Sequence, residues 1–230
     1  MALAGLTPII IYQAKKFIPY EKYIMPGIIF GALLPNIEII FISINLIFQI
    51  ILKFEQIFQR PFTHSIFTSI FIYLLFAILA EFKKNKKIKI VGKGIAIGML
   101  MHYLIDIILP FNHVDFLWPL PIQPISLWYF REPPKEIITT IMILEFFCFR
   151  CYAWFLIKQH LVKPNKYSWI IKHINKWKKI ESLFFILFIL FAILESPNFN
   201  FMFTAAYIPS LIIALFFTYM SRDALNYLPT

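Results

Sequence analysis

Apolar runs close to the length that crosses a bilayer recur along the chain, and they constrain its fold more than any other feature. A spanning helix needs about 20 mostly apolar residues. Backbone surrounded by lipid must satisfy its own hydrogen bonds, which leaves helices or closed barrels. The runs at about residues 20–34, 65–82, 91–109, 137–157, 181–194 and 201–220 read as helices. The expected fold class is therefore all-α, a polytopic transmembrane helix bundle of about five to six spans. One membrane domain, 1–230, is sufficient, with a motif-bearing half at 31–120 and additional spans across 137–220. The 181–194 run is short enough for an interfacial or re-entrant piece. A further apolar stretch, 39–52, follows the first run directly.

Charge placement orients the bundle. With the N-terminus cytoplasmic and 39–52 not crossing, 17 of the 22 basic residues fall on the inner side. They are Lys15, Lys16 and Lys22, the lysines from Lys83 to Lys93, those from Lys158 to Lys179, and Arg222. Only Lys53, Arg60, Arg131 and Lys135 fall outside, an asymmetry that follows the positive-inside rule. Letting 39–52 cross would move both lysine-rich loops outward, so this stretch reads as interfacial or re-entrant. The reading is an integral membrane protein whose first partner is the lipid bilayer.

Composition agrees. The chain is 60% hydrophobic and 15% charged, against about 45–50% and 25% for soluble domains. Its net charge of +10 sits between apolar runs, so it fits anionic lipid rather than nucleic acid, for which no stacking platform or motif is present. Cys148 and Cys151 lie inside an apolar run and read as buried thiols, not a disulfide framework. Residues 1–12 lack the leading basic residues of a signal peptide.

Ionisable groups beside or within such runs are costly and tend to mark function. In Gly31-Ala32-Leu33-Leu34-Pro35-Asn36-Ile37-Glu38, a proline ends a helix, freeing backbone carbonyls, and an amide and a carboxylate follow. In Gln59-Arg60-Pro61-Phe62-Thr63-His64-Ser65, Thr63 is the expected N-cap of the next span. A helix N-terminus disfavours imidazolium at His64, and neutral imidazole is the form that binds metal. Arg60 offers a planar fork for phosphate or carboxylate. His102 and Asp106, four apart, share a helix face, where they can chelate one ion or orient one another. His113, Asp115 and Trp118 lie in the loop that follows. Each group also has a plainer reading: a helix end, an anchor, a buried His–Asp bond, a solvated loop. Under the charge-derived topology, however, all four groups lie at the outer face. Gly31 and Gly98 would let the helices approach closely.

The ordered motifs G-x-L-L-P-[DN]-x-[DE], R-x-x-T-H-S, G-x-x-x-H-x-x-x-D and L-W-P resemble the YdjM-like family, over about residues 31–120. That resemblance implies a bacterial inner-membrane, metal-dependent hydrolase, distantly akin to zinc-dependent phospholipase C and its nuclease relatives. It implies metal ligation by Glu38, His64, His102 and Asp106, and catalytic roles for Glu38, Arg60 and His102. The cofactor it implies is a divalent ion, zinc first, with manganese or magnesium as alternatives. Asn36, Gln59, His113, Asp115 and Trp118 are accessory candidates, and a phosphoester or lipid-linked substrate would be handled at the outer face. The chain departs from the pattern at Asn36, Glu38, Gln59 and Thr7-Pro8, where members usually carry aspartate, aspartate, histidine and Thr-His. Two other functions compete: a catalytically degenerate member acting as a structural or partner-binding protein, and a transporter using Glu145 and Arg150. Those last two point about 140° apart on a helix, so they are not expected to pair.

Overall fold

The computed structural model describes residues 5–13, 23–37, 63–108, 115–122, 133–162 and 168–225. These residues form helices and turns, with no strand among them. In chain order the helices are α1 (Thr7–Gln13), α2 (Ile24–Leu33), α3 (Ile66–Phe82), α4 (Lys86–Ile108), α5 (Lys135–Val162), α6 (Ser168–Ile193), α7 (Phe199–Met220) and the short α8 (Arg222–Leu225). A 3-10 turn, Leu34–Ile37, ends α2. The stretch 39–52 lies outside the described residues.

Among the described helices, α4, α7 and Lys135–Leu161 of α5 are long and apolar enough to cross a membrane. The apolar α3 has 17 residues, a rise of about 26 Å, short of a 30 Å hydrocarbon core. Its exposed face is nonetheless continuous: Phe67, Ile70, Phe71, Leu74, Leu75, Ile78, Leu79 and Phe82. An apolar stripe of that length has lipid as its natural solvent. The protein is thus a helical membrane bundle, as its hydropathy predicts.

The expected 181–194 piece is corrected in extent. It is the C-terminal half of α6, a continuous helix of 26 residues whose first half carries Lys172, Lys176, Lys178 and Lys179. Helical hydrogen bonding continues through the charged half because its inner side is apolar. Ile170, Ile174 and Trp177 are buried there while Lys172, Lys176 and Lys179 face outward.

Two packed groups share α2. In the first, α2 and α3 lie along α4. In the second, α5 and α6 form a long antiparallel hairpin that α7 covers, and α2 also meets α7. The core of the second group is aromatic, with Phe146, Phe149, Tyr152, Phe188, Phe203 and Tyr207 all buried. The turn between α3 and α4 is a lysine-rich tip where Lys84 adopts φ 47° and the Asn85 side chain accepts from Lys87 N–H at 3.1 Å. Cys148 is buried and Cys151 partly so, and both thiols are free.

Candidate metal centre

Contact between α2 and α4 builds the site, and glycines make that contact. A Cβ on Gly98 would lie 2.0 Å from the Ile28 carbonyl oxygen, and one on Gly31 2.1 Å from that of Ile95. Gly27 and Gly94 face each other in the same seam, each within 3.2 Å of the other's Cα by the same construction. The two helices therefore touch backbone to backbone through Gly27/Gly31 and Gly94/Gly98. Small residues four apart permit this in a membrane, where apolar side chains gain little by associating with each other rather than with lipid. The expectation from Gly31 and Gly98 holds only half of the seam. The i,i+4 spacing in both helices is the signal that completes it.

Close approach brings the end of α2 to His102. Pro35 has no N–H, so it removes the donor that would bond Gly31's carbonyl in an α-turn or Ala32's in a 3-10 turn. The Ala32 carbonyl instead accepts from His102 Nδ1 at 2.7 Å. A carbonyl can only accept, so Nδ1 carries the hydrogen and neutral His102 presents a lone pair at Nε2. That nitrogen makes no hydrogen bond of acceptable angle, and Asp106 Oδ2 lies 3.4 Å from it. His102 is fully buried and Asp106 nearly so. A lone pair facing a carboxylate in an apolar bundle is unfavourable unless a cation or proton lies between them.

His64 arrives from the other side. Its Nε2 is 2.8 Å from Asp106 Oδ2, and its Nδ1 is 3.0 Å from Thr63 Oγ1. Placement comes from the start of α3. Here the structure corrects the expected N-cap: Ser65, not Thr63, accepts from Phe67 N–H at 3.2 Å, and the helix starts at Ile66. His64 is thus held in the turn before the cap. Tyr103, fully buried on α4, donates to the Thr63 carbonyl at 2.9 Å and accepts from Ser69 Oγ at 3.2 Å. It ties the His64 segment to the helix bearing the other two residues. Sequence reasoning assigns no role to Tyr103, Ser69 or Ser65, although Ser65 closes the R-x-x-T-H-S motif, because their types carry no metal chemistry of their own.

One ligand atom from each of His64, His102 and Asp106 lies within 4.8 Å of the others, and all three residues are buried. Ligands at about 2.0–2.2 Å from a tetrahedral ion stand about 3.3 Å apart. The 3.4 Å pair already fits, and the 2.8 Å pair would open by about 0.5 Å. A metal-bound histidine characteristically gives its other ring N–H to a backbone carbonyl, as His102 does to Ala32. The residues present therefore suit a divalent ion with three protein ligands.

The remaining candidates divide. Asn36 is buried in the 3-10 turn, and its Nδ2 has no hydrogen-bond partner among the described residues. Asp115 is half-buried at the start of a turn, where its carbonyl accepts from Trp118 N–H at 3.0 Å, and its carboxylate does not join the ligand cluster. Trp118 is 40% exposed. What it brings to the site is a backbone carbonyl that accepts from Ser65 Oγ, while Phe116's carbonyl accepts from Ile66 N–H at 2.9 Å. The Leu117-Trp118-Pro119 loop, with a cis bond before Pro119, thus braces the start of α3. Glu38, Gln59, Arg60 and His113 lie outside the described residues. Glu145 is buried and Arg150 exposed on α5, so they face opposite ways.

No curated protein and no solved structure matches the chain. The model of one family, described as YdjM inner membrane protein, matches it over residues 2–220. That match extends the motif resemblance from the first half to nearly the whole chain, taking in α5, α6 and α7, and the chain belongs to the YdjM inner membrane protein family.

Proposed function

We propose that the protein is a membrane-embedded, metal-dependent hydrolase whose ion is held by His64, His102 and Asp106. The observation that carries this reading is the tautomer imposed on His102. With Nδ1–H given to Ala32, a lone pair faces Asp106 in a buried site. An ion there would acidify a water molecule and polarise the substrate's oxygen. The chain's own residues supply the rest. Asp106 neutralises charge in a low-dielectric site, and Ala32 and Thr63 orient the two imidazoles through Nδ1. Buried Asn36 is a neutral donor on the turn that packs against α4. Arg60, four residues before His64, is assigned to the anionic part of the substrate, and Glu38 to the ligand set or a proton transfer. A site buried between helices of a membrane bundle suits a phosphoester or lipid-linked substrate at the outer face, with the N-terminus cytoplasmic.

Elemental mass spectrometry on detergent-purified protein tests the reading, beside a His64→Ala, His102→Ala double variant. About one divalent ion per wild-type chain, absent from the variant, is the expected result. No ion in the wild type after incubation with zinc or manganese would remove the basis for hydrolysis. That result would favour a structural role, the reading to which the uncharged Asn36 in place of aspartate points.

A further inference from the structure

The search beyond the metal centre leads to the closed end of the α5–α6 hairpin. Contacts along the hairpin set its register: Phe146 stacks on Phe188 at 4.8 Å, Phe147 meets Phe185 at 5.4 Å, and Phe149 meets Trp177 at 6.2 Å. Numbers rise on α5 as they fall on α6, so residues after 150 lie beside the charged half of α6. The exposed side of α6 changes character abruptly. It runs Trp169, Lys172, His173, Lys176 and Lys179, then Ile180, Leu183, Ile186, Leu190 and Ile193. Tryptophans and lysines giving way to aliphatics mark the step from headgroups to hydrocarbon, which falls between Lys179 and Ile180. The exposed side of α5 carries Leu144 and Phe147 before Arg150, then Trp154 and Lys158, with Leu161 exposed beyond them.

Arg150 sits at that boundary. Its Nε donates to Ser182 Oγ at 3.0 Å, three residues and about 4.5 Å beyond Lys179 along the axis. The Ser182 hydroxyl gives its own hydrogen to the Lys178 carbonyl at 2.9 Å, so its lone pair is fixed toward Arg150. The guanidinium lies 6.0 Å from the Phe147 ring centroid. These contacts are all that Arg150 makes with the described residues, and no carboxylate is among them. Four N–H donors and a full charge are left on the exposed side beside Phe147. A phosphate satisfies such a fork in two parallel bonds and supplies the countercharge that water lacks. Lys178 and Lys179, one turn before Ser182 on α6, add positive charge, which favours a lipid with net negative charge over a zwitterionic one.

We propose that Arg150, tethered by Ser182 one helical turn from Lys178 and Lys179, binds the phosphate of an anionic phospholipid in the leaflet on the lysine-rich side. The proposal is independent of the metal centre. Native mass spectrometry of the full chain in detergent, with phosphatidylglycerol or phosphatidylcholine added at equal concentration, tests it. Wild type is expected to retain phosphatidylglycerol over phosphatidylcholine. Arg150→Gln should lower retained phosphatidylglycerol at least fivefold, and Arg150→Lys should restore part of it. Equal retention of both lipids by wild type, or equal phosphatidylglycerol on wild type and Arg150→Gln, would overturn the proposal. Should Arg150→Gln fail to fold, Ser182→Ala keeps the charge and loses the tether. A severalfold drop in that variant supports the site, and wild-type retention refutes it.

Discussion

Replacing Gly98 with alanine puts a Cβ 2.0 Å from the Ile28 carbonyl oxygen and 2.8 Å from Ala32 N. Carbon and carbonyl oxygen rest at about 3.3 Å at closest, so α2 and α4 must part by about 1.3 Å there. Neither atom met by the new methyl is the end of a flexible side chain, so rotamer changes cannot absorb the clash. The same displacement carries the Ala32 carbonyl away from His102 Nδ1. A 2.7 Å bond stretched to about 4.0 Å is no longer a hydrogen bond. His102 then loses the partner that sets its tautomer and ring orientation. Loss of such a supporting bond typically lowers metal affinity about 10–100-fold, or about 1.4–2.8 kcal/mol. Zinc affinity measured by competition with a chromophoric chelator in detergent is the assay. Gly5→Ala is the control, because its Cβ, in the turn before α1, would meet the Cys148 backbone of α5 at 2.3 Å, away from the site. The control should lower thermal stability without changing zinc affinity. Wild-type affinity in Gly98→Ala would refute the claim that the glycine seam holds His102 in place.

Three further outcomes are expected. Tyr103→Phe deletes the hydroxyl that joins Ser69 to the Thr63 carbonyl; the buried groups left behind cost about 1–3 kcal/mol. Its melting temperature and metal occupancy should both fall, and an unchanged melting curve would count against the bridge. Ser65→Ala removes an N-cap worth about 0.5–2 kcal/mol and the donor to Trp118's carbonyl; amide exchange should quicken at Ile66 and Phe67, and wild-type protection there would contradict the capping assignment. Metal occupancy should fall as pH is lowered, because protons compete for imidazole nitrogen and carboxylate oxygen, and should recover on neutralisation; occupancy unaffected by acid would exclude His64 and His102 as ligands.

Sequence by itself determined that this is a helical membrane protein, where its long helices run, and that His102 and Asp106 share a face. Those properties are local or set by the solvent. A bilayer demands apolar length whatever the helix later packs against, and 3.6 residues per turn places i and i+4 together in any helix. It also carried a usable sign of the α2–α4 contact, since Gly27/Gly31 and Gly94/Gly98 each stand four apart. The full length of α6 was less legible, because hydropathy sees only its apolar half. The motif resemblance had already grouped His64 with His102 and Asp106; tertiary structure supplied the distances between them, and it alone decided that Ser65 rather than Thr63 caps α3 and that Trp118 serves through its carbonyl while Asp115 stands apart. It alone supplied Ala32's carbonyl as the partner of His102. Backbone groups are the same at every position and leave no mark in the sequence. Which of them meets a given side chain depends on how closely two helices pack, and that distance is set by all the residues in the seam at once.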